Sequence, residues 1–254
     1  AAIPFDKNKI IYGGDTSCIE LRTSDNSTII LDMGTGLKNL GQKIVNDSSY
    51  SKDINIFMSH YHLDHIHGFL MFAPLFSADY NINIYSRTSN GKTFREVMDT
   101  FLQPEIWPFT LSDLPANLSL ISIDDEPIII NDNIKIFNGL HSHPNKAYSI
   151  KIETFDKKIT YITDCEHPKD HLNPNVIDFA NDSDILIHDA HYTPEDLIKH
   201  TGWGHSSWKE ATDVANQSNS KKLVLFHHSP DYNDDELKDI EKKNLLIKLG
   251  LLFP

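Results

Sequence analysis

Cysteine is scarce: Cys18 and Cys165 are the only two in 254 residues, and no Cys-x-x-Cys pair occurs. This excludes a disulfide-built scaffold and a thiolate zinc cluster. Such usage fits a reducing compartment, so a cytoplasmic location is expected. Long hydrophobic runs are also missing. None approaches the roughly 20 residues that a bilayer helix needs, so no membrane association is expected. The opening AAIPFDKNKI lacks a basic stretch followed by a long apolar one and does not read as a signal peptide. No Gly-x-Gly-x-x-Gly turn precedes a helix, which argues against a dinucleotide fold. Basic charge is short as well. Lys and Arg total 23 against 36 Asp and Glu, a net charge of −13. Bulk binding to a polyphosphate chain needs cationic side chains to displace counterions. No internal repeat, low-complexity segment or linker breaks the chain.

What is present reads as globular: 39% hydrophobic and 23% charged residues, in a chain long enough to bury a large core. CIELRT and STIILD flank the turn residues Ser24–Ser27 and suggest an antiparallel hairpin. TGLKNLGQKIV has helical spacing, INIFMS and NINIYS read as strands, and KTFREVMDTFL as a helix. HIHGFLMFAPLF reads as a short apolar helix broken near Pro74. LSLISI, PIIIND, IKIFNG, AYSIKIE and KITYITD continue as strands. DILIHD and KLVLFHH are strands set among the helices PEDLIKH and SSWKEATDVANQS. DDELKDIEKKNLLIKLG closes as a helix with acids in its first turn, as the helix dipole favours. Two blocks of strands, each carrying helices, point to a layered α/β sandwich in one domain spanning 1–254.

The densest chemistry lies in MSHYHLDHIHG, residues 58–68. The apolar run Ile54–Met58 delivers His60 to a strand end. Alternation along an extended segment then puts His60, His62 and Asp64 on one face, with His65 at the start of the next helix. Other apolar strands end in similar groups: IKIFNGLHSHP in His141 and His143, KITYITDCE in Asp164, and KLVLFHHSP in His227 and His228. Loops at a sheet edge are where functional groups gather. The donors suffice for two cations of four to five N/O ligands each. His60, His62 and His143 suit one, Asp64, His65 and His227 the other, and Asp164 can bridge.

The pattern HxHxDH at 60–65, followed in order by His143, Asp164 and His227, resembles the metallo-β-lactamase-fold hydrolases over nearly the whole chain. YGGDTSCIEL and LDMGTGL resemble that family's opening strands. The resemblance implies an αββα sandwich: two mixed sheets with helices on the outer faces. It also implies a centre of two divalent metal ions. Zinc is the usual choice of the family, with manganese or iron in some members. GWGHSSW, with His205 before Ser206 and Ser207, is similar to the phosphodiesterase branch, which includes tRNase Z and small cyclic-nucleotide phosphodiesterases. There the histidine of a His-Ser-Thr element assists phosphodiester cleavage; Ser207 stands here where threonine would be. His205 and Asp64 are the expected catalytic residues. Such cations lower the pKa of water that they hold and offset charge on phosphoryl oxygens. The stretch 87–117, where a tRNA-clamping arm would be inserted, is short and not basic. The expected substrate is therefore a small phosphodiester such as a cyclic nucleotide, with structured RNA disfavoured and a homodimer compatible. A carboxyl-ester or lactone hydrolase, a tRNase Z-like nuclease and a metal-stabilised binding module are the competing readings.

Blander roles are expected elsewhere. His67 packs or caps a helix, and His141 hydrogen-bonds a metal donor. His228 and Cys165 point away from their neighbours His227 and Asp164. Asp189 is either an acceptor behind the site or a solvated loop residue, and His188 and His191 are equally open. Trp203 and Trp208 flank His205; Trp203 and Phe72 are candidate surfaces for a base. Gly13–Asp15 and Gly34–Gly36 read as tight turns.

Overall fold

The computed structural model describes residues 7–248. Part of the expectation about residues 1–10, and the last two residues of the closing helix, lie outside them. The described residues divide into two compact units: Asp15–Asp124, and 7–14 with 125–248.

In the first unit five strands lie side by side in chain order: β1 (Ile19–Arg22), β2 (Thr28–Leu31), β3 (Asp53–Phe57), β4 (Asn81–Ser86) and β5 (Asn117–Ser122). β1 and β2 are the expected antiparallel hairpin, and the remaining pairs are parallel. Asn26 takes the left-handed turn position at φ 63° and donates its N–H to Thr23 O at 3.0 Å. Ile54–Phe57 of β3 are all buried, as a central parallel strand covered on both faces requires. Helix α1 (Gly36–Asn46) lays Leu37, Leu40 and Ile44 into a core with Ile30, Ile54 and Ile82. The apolar segment after the histidine motif is not one helix. Helix α2 (Leu63–Ile66) stops early, and two 3₁₀ turns follow, Phe69–Met71 and Ala73–Phe76. The break between the turns falls at Phe72, two residues before Pro74, where the backbone is extended. The Phe72 ring is fully buried there and fills the space above Gly41. Phe72 is therefore core, not a surface for a base. Helix α3 (Phe94–Phe101) starts on a Thr93/Glu96 capping box.

In the second unit six strands are ordered β11-β10-β9-β8-β7-β6. They are β6 (Ile128–Asn131), β7 (Ile134–His141), β8 (Ala147–Glu153), β9 (Lys158–Ile162), β10 (Ile185–Asp189) and β11 (Leu223–Phe226). β9, β10 and β11 run parallel, and β6 to β9 pair antiparallel. Helix α4 (Pro174–Ala180) was not legible in the sequence: seven residues are too few to show a helical period, and only Asn173 at its cap and Pro174 at its first position mark it. It packs Val176 and Ala180 with Val214 and Ala215 of α6 (Trp208–Gln217). Helix α5 (Pro194–Leu197) is capped by Thr193. Helix α7 (Asp234–Lys248) is held at its start by Asn233, whose side chain accepts from the N–H groups of Asp235 and Glu236. Asp234 itself accepts from the N–H groups of Ile10, Ile11 and Tyr12. Among the described residues no helix is long and apolar enough to cross a membrane.

Candidate active site

Within the first unit, β2 and β3 are parallel, so their C-terminal ends lie at one edge and bring Asp32 beside Ser59 and His60. Asp32 is buried at φ 60° and accepts from Ser59 N (2.7 Å), Ser59 Oγ (2.7 Å) and His65 Nδ1 (2.8 Å). The Ser59 hydroxyl gives its proton to Asp32, so its oxygen accepts from His60 Nδ1 at 3.0 Å. Both imidazoles thus carry their proton on Nδ1 and present an unprotonated Nε2, the arrangement that metal-ligating histidines require. The rings of His60 and His62 are 4.6 Å apart, and those of His60 and His65 4.2 Å. Asp64 Oδ2 lies 3.6 Å from His65 Nε2. The four residues of the HxHxDH motif are therefore brought together. Tyr61 points the other way, with its hydroxyl on Arg87 O. His67 is exposed and caps α2 through its backbone N–H. Gly34 and Gly68 allow this packing: a Cβ on Gly68 would lie 1.9 Å from Gly34 O, and one on Gly34 2.4 Å from Asp64 O.

Within the second unit the centre is Asp164, one residue beyond β9 plus Thr163. It sits at φ 53°, a left-handed position that costs a non-glycine residue about 1–2 kcal/mol. Its N–H donates to Asp189 Oδ2 (2.9 Å), and Thr163 Oγ donates to its Oδ2 (2.6 Å). His141 is buried and donates from Nε2 to Thr163 O (2.9 Å) and Asp164 O (3.1 Å), while Ser149 Oγ sits on its Nδ1 at 2.8 Å. Burial lowers the pKa of His141 to about 4, so it stays neutral. Three imidazoles face the Asp164 carboxylate: His143 Nε2 at 3.6 Å, His227 Nε2 at 3.5 Å and His205 Nδ1 at 3.8 Å. His143 donates its Nδ1 proton to Gly204 O (2.8 Å), which leaves Nε2 unprotonated. His143, Asp164, His205 and His227 are thus brought together.

Asp189 is fully buried and accepts from Asp164 N, His191 N, Ser206 N and His205 Nδ1 (2.9 Å), which settles it as an acceptor behind the site. Burial alone would raise its pKa, but the adjoining His205 and His227 hold it below the ordinary carboxylate range. His191 stacks on His205 with centroids 4.1 Å apart. Burial and the charges of His227 and His205 push its pKa down to about 3. Ser206 Oγ rests on Cys165 O, and Ser207 caps α6 through Glu210 N, a task serine performs as well as threonine. Trp208 is core, whereas Trp203 is 61% exposed. His228 turns to Ala190 O, away from the His227 side. Cys165 is a buried thiol whose pKa burial raises. With His167 and His188 it forms one of several groups of donor atoms within 4.8 Å. That group lacks a metal-ready set, because His167 Nδ1 accepts from Asn173 N and its proton therefore sits on Nε2. Sequence reasoning missed Asp32, Ser59 and Glu166.

A family model described as the β-lactamase superfamily domain matches residues 27–228. The chain belongs to this superfamily, as a metallo-β-lactamase-fold metallohydrolase. Among curated proteins it is 26% identical to a ribonuclease Z of Picrophilus torridus over 87% of this chain and 82% of that protein. Among solved structures it is similar to the metallo-β-lactamase fold protein YhfI from Bacillus subtilis (TM-score 0.67, 19% identity, 92% and 88% of the two chains). It is also similar to a diphosphatase of the PhnP family (TM-score 0.61, 15% identity, 87% and 76%). The two mixed sheets with their helices are the fold of these neighbours.

Proposed function

We propose that the chain is a metal-dependent phosphodiesterase that hydrolyses a small phosphodiester, with a cyclic nucleotide as the preferred class. The observation that carries this reading is His205, fixed by Asp189 beside Asp164 and not needed as a donor. In this reading His60, His62, Asp64 and His65, with His143, Asp164 and His227, hold two divalent cations, zinc foremost. The donors fit: His60, His65 and His143 each have Nδ1 bound to an acceptor and Nε2 free of a proton. Such cations would supply a more acidic water and positive charge beside the phosphoryl oxygens. The protein's own residues do the rest. Asp164 and Asp64 bring negative charge to the donor set, and Asp64 serves the reaction through it. Asp189 accepts from His205 Nδ1 and so orients the ring, which leaves Nε2 to give a proton to the departing alkoxide. His191, neutral and stacked on His205, excludes water from that face of the ring.

A nuclease acting on structured RNA is the second reading, and the ribonuclease Z relative specifically favours it. The net charge of −13 favours the small substrate. The test is a panel on metal-loaded protein: cyclic mononucleotides, cyclic dinucleotides, bis-p-nitrophenyl phosphate, a precursor tRNA and lactones. Hydrolysis of cyclic nucleotides ahead of tRNA supports the proposal; faster tRNA cleavage, or turnover of lactones alone, overturns it. Elemental analysis is expected to give about two metal ions per chain, the number seven N/O donors suit. Asp164→Ala should lower both occupancies together, and full occupancy in that variant would remove Asp164 as the bridge.

A further inference from the structure

Glu166 has no part in the reading above, yet it holds the loop that carries His205. Its Oε1 accepts from Gly202 N (2.6 Å) and its Oε2 from Gly204 N (2.8 Å). Its own N–H donates to Ser142 O (2.9 Å), the residue before His143. Gly202 and Gly204 stand at φ +88° and +89°, where a side chain is strained. This backbone turns both N–H groups toward one carboxylate. Hydrogen bonds to an ionised acceptor are roughly twice as strong as neutral ones, so the loop is tied down at two points by one charge. Gly204 then offers its carbonyl oxygen to His143 Nδ1 at 2.8 Å. The approach is so close that a Cβ on Gly204 would lie 2.1 Å from that nitrogen. One residue further, His205 reaches Asp189.

We infer that Glu166 is a positioning residue: through Gly202 and Gly204 it fixes the tautomer and aim of His143 and the place of His205, so one carboxylate outside the donor set tunes both cation affinity and proton donation. The carbonyl of Gly204 can select the Nδ1–H form of His143 only while the loop stays put. The same peptide segment sets where His205 begins. Loss of the brace therefore acts on a donor and on a proton carrier at once. The inference rests on the proposed roles of His143 and His205, and its test separates the two.

Cation affinity is measured by Zn²⁺ and Mn²⁺ titration of metal-free protein, without substrate, for the parent chain, Glu166→Gln and Glu166→Asp. Amide exchange at residues 202–205 and the kcat and KM of the metal-loaded forms are followed in parallel. Glu166→Gln keeps the size but replaces one acceptor with a donor facing an N–H. It is expected to weaken binding of at least one cation by roughly 10- to 100-fold, the range for a lost partner behind a metal-ligating histidine. Exchange at 202–205 should quicken, and kcat should fall with KM little changed. Glu166→Asp keeps the charge and should recover part of the affinity. A loop stabiliser alone would quicken exchange and lower Tm while leaving cation affinity in place. Affinity within twofold of the parent in folded Glu166→Gln overturns the inference. If Glu166→Gln does not fold, Glu166→Asp carries the same test, and parental affinity with quickened exchange again overturns it. Absence of cation binding or turnover in the parent chain instead overturns the proposed function.

Discussion

Asp189 shows how much one buried carboxylate can organise. Its two oxygens receive the N–H groups of Asp164, His191 and Ser206 and the Nδ1 proton of His205. Its acceptance from Nδ1 fixes which nitrogen of His205 is turned to Asp189 and which is left for the site. His205→Ala is expected to fold and retain its metals, since the ring belongs to no donor in the proposed set. Turnover should fall by roughly 10²-fold or more, as for a lost general acid or charge-stabilising donor. Metal analysis and kcat on bis-p-nitrophenyl phosphate check both halves, and metal loss in this variant would make His205 a ligand. The residues read from the sequence were legible because residue type and spacing carried the signal: three imidazoles and a carboxylate in HxHxDH, then lone donors after apolar strands. Asp32 had the same signal, an acid ending TIIL, but its role depends on His65, 33 positions away. Glu166 gave none, because its partners are backbone N–H groups that no sequence pattern displays.

Strand direction explains why the donors of the second unit meet. β9, β10 and β11 are parallel, and β7 lies two antiparallel steps from β9, so all four end at the same edge. His143, Asp164, Asp189 and His227 lie at or just beyond those ends. The strands were legible as apolar runs, but their order was not, because pairing is set by packing between distant segments. Short elements escaped for a different reason: the segment read as a short helix broken near Pro74 has its break at Phe72 and a further stop after Ile66, since a short apolar run does not specify where a helix stops. In the first unit, Gly68 and Gly34 press α2 against the end of β2. Gly68→Ala forces a methyl to within 1.9 Å of Gly34 O, a backbone atom that cannot swing aside. The expected cost is about 1–3 kcal/mol, the range for overpacking a tight site. Gly91 is a control: it has open space at φ +78°, and asparagine tolerates that backbone. Urea unfolding of metal-free protein should give a lowered midpoint for Gly68→Ala and a nearly parental one for Gly91→Asn. Equal midpoints would mean the backbone at Gly68 yields more readily than its packing indicates.

At the scale of the molecule, protons and net charge set how the chain responds to solution conditions. Burial holds His141 at about 4 and His167 and His191 at about 3, against 6.5 in the unfolded chain. The unfolded chain therefore takes up protons first as pH falls, so the stability from these neutral rings is complete above pH 6.5 and is lost on the way down to about pH 3–4. Tm of metal-free protein should drop steadily from pH 6.5 to 4.5, and His141→Gln should flatten that slope; an unchanged slope would show that His141 is not held neutral by the fold. Net charge acts on the substrate. At −13 the chain repels anions in general, and a singly charged phosphodiester meets only that weak, screened repulsion. Raising KCl from low to moderate concentration should therefore leave kcat/KM for bis-p-nitrophenyl phosphate or a cyclic nucleotide nearly constant, or raise it by less than about twofold. A structured RNA behaves oppositely if it is the true substrate. Neutralising several of its phosphates with Lys and Arg releases counterions, and affinity then falls by roughly a power of ten for each few phosphates engaged over the same range. The two salt series, run on one metal-loaded preparation, give different signs. A flat or rising line for the small substrate with slow RNA cleavage supports the proposed class. Rapid RNA cleavage that collapses with salt would reveal a basic face at work despite the overall charge, and would assign the chain to RNA processing.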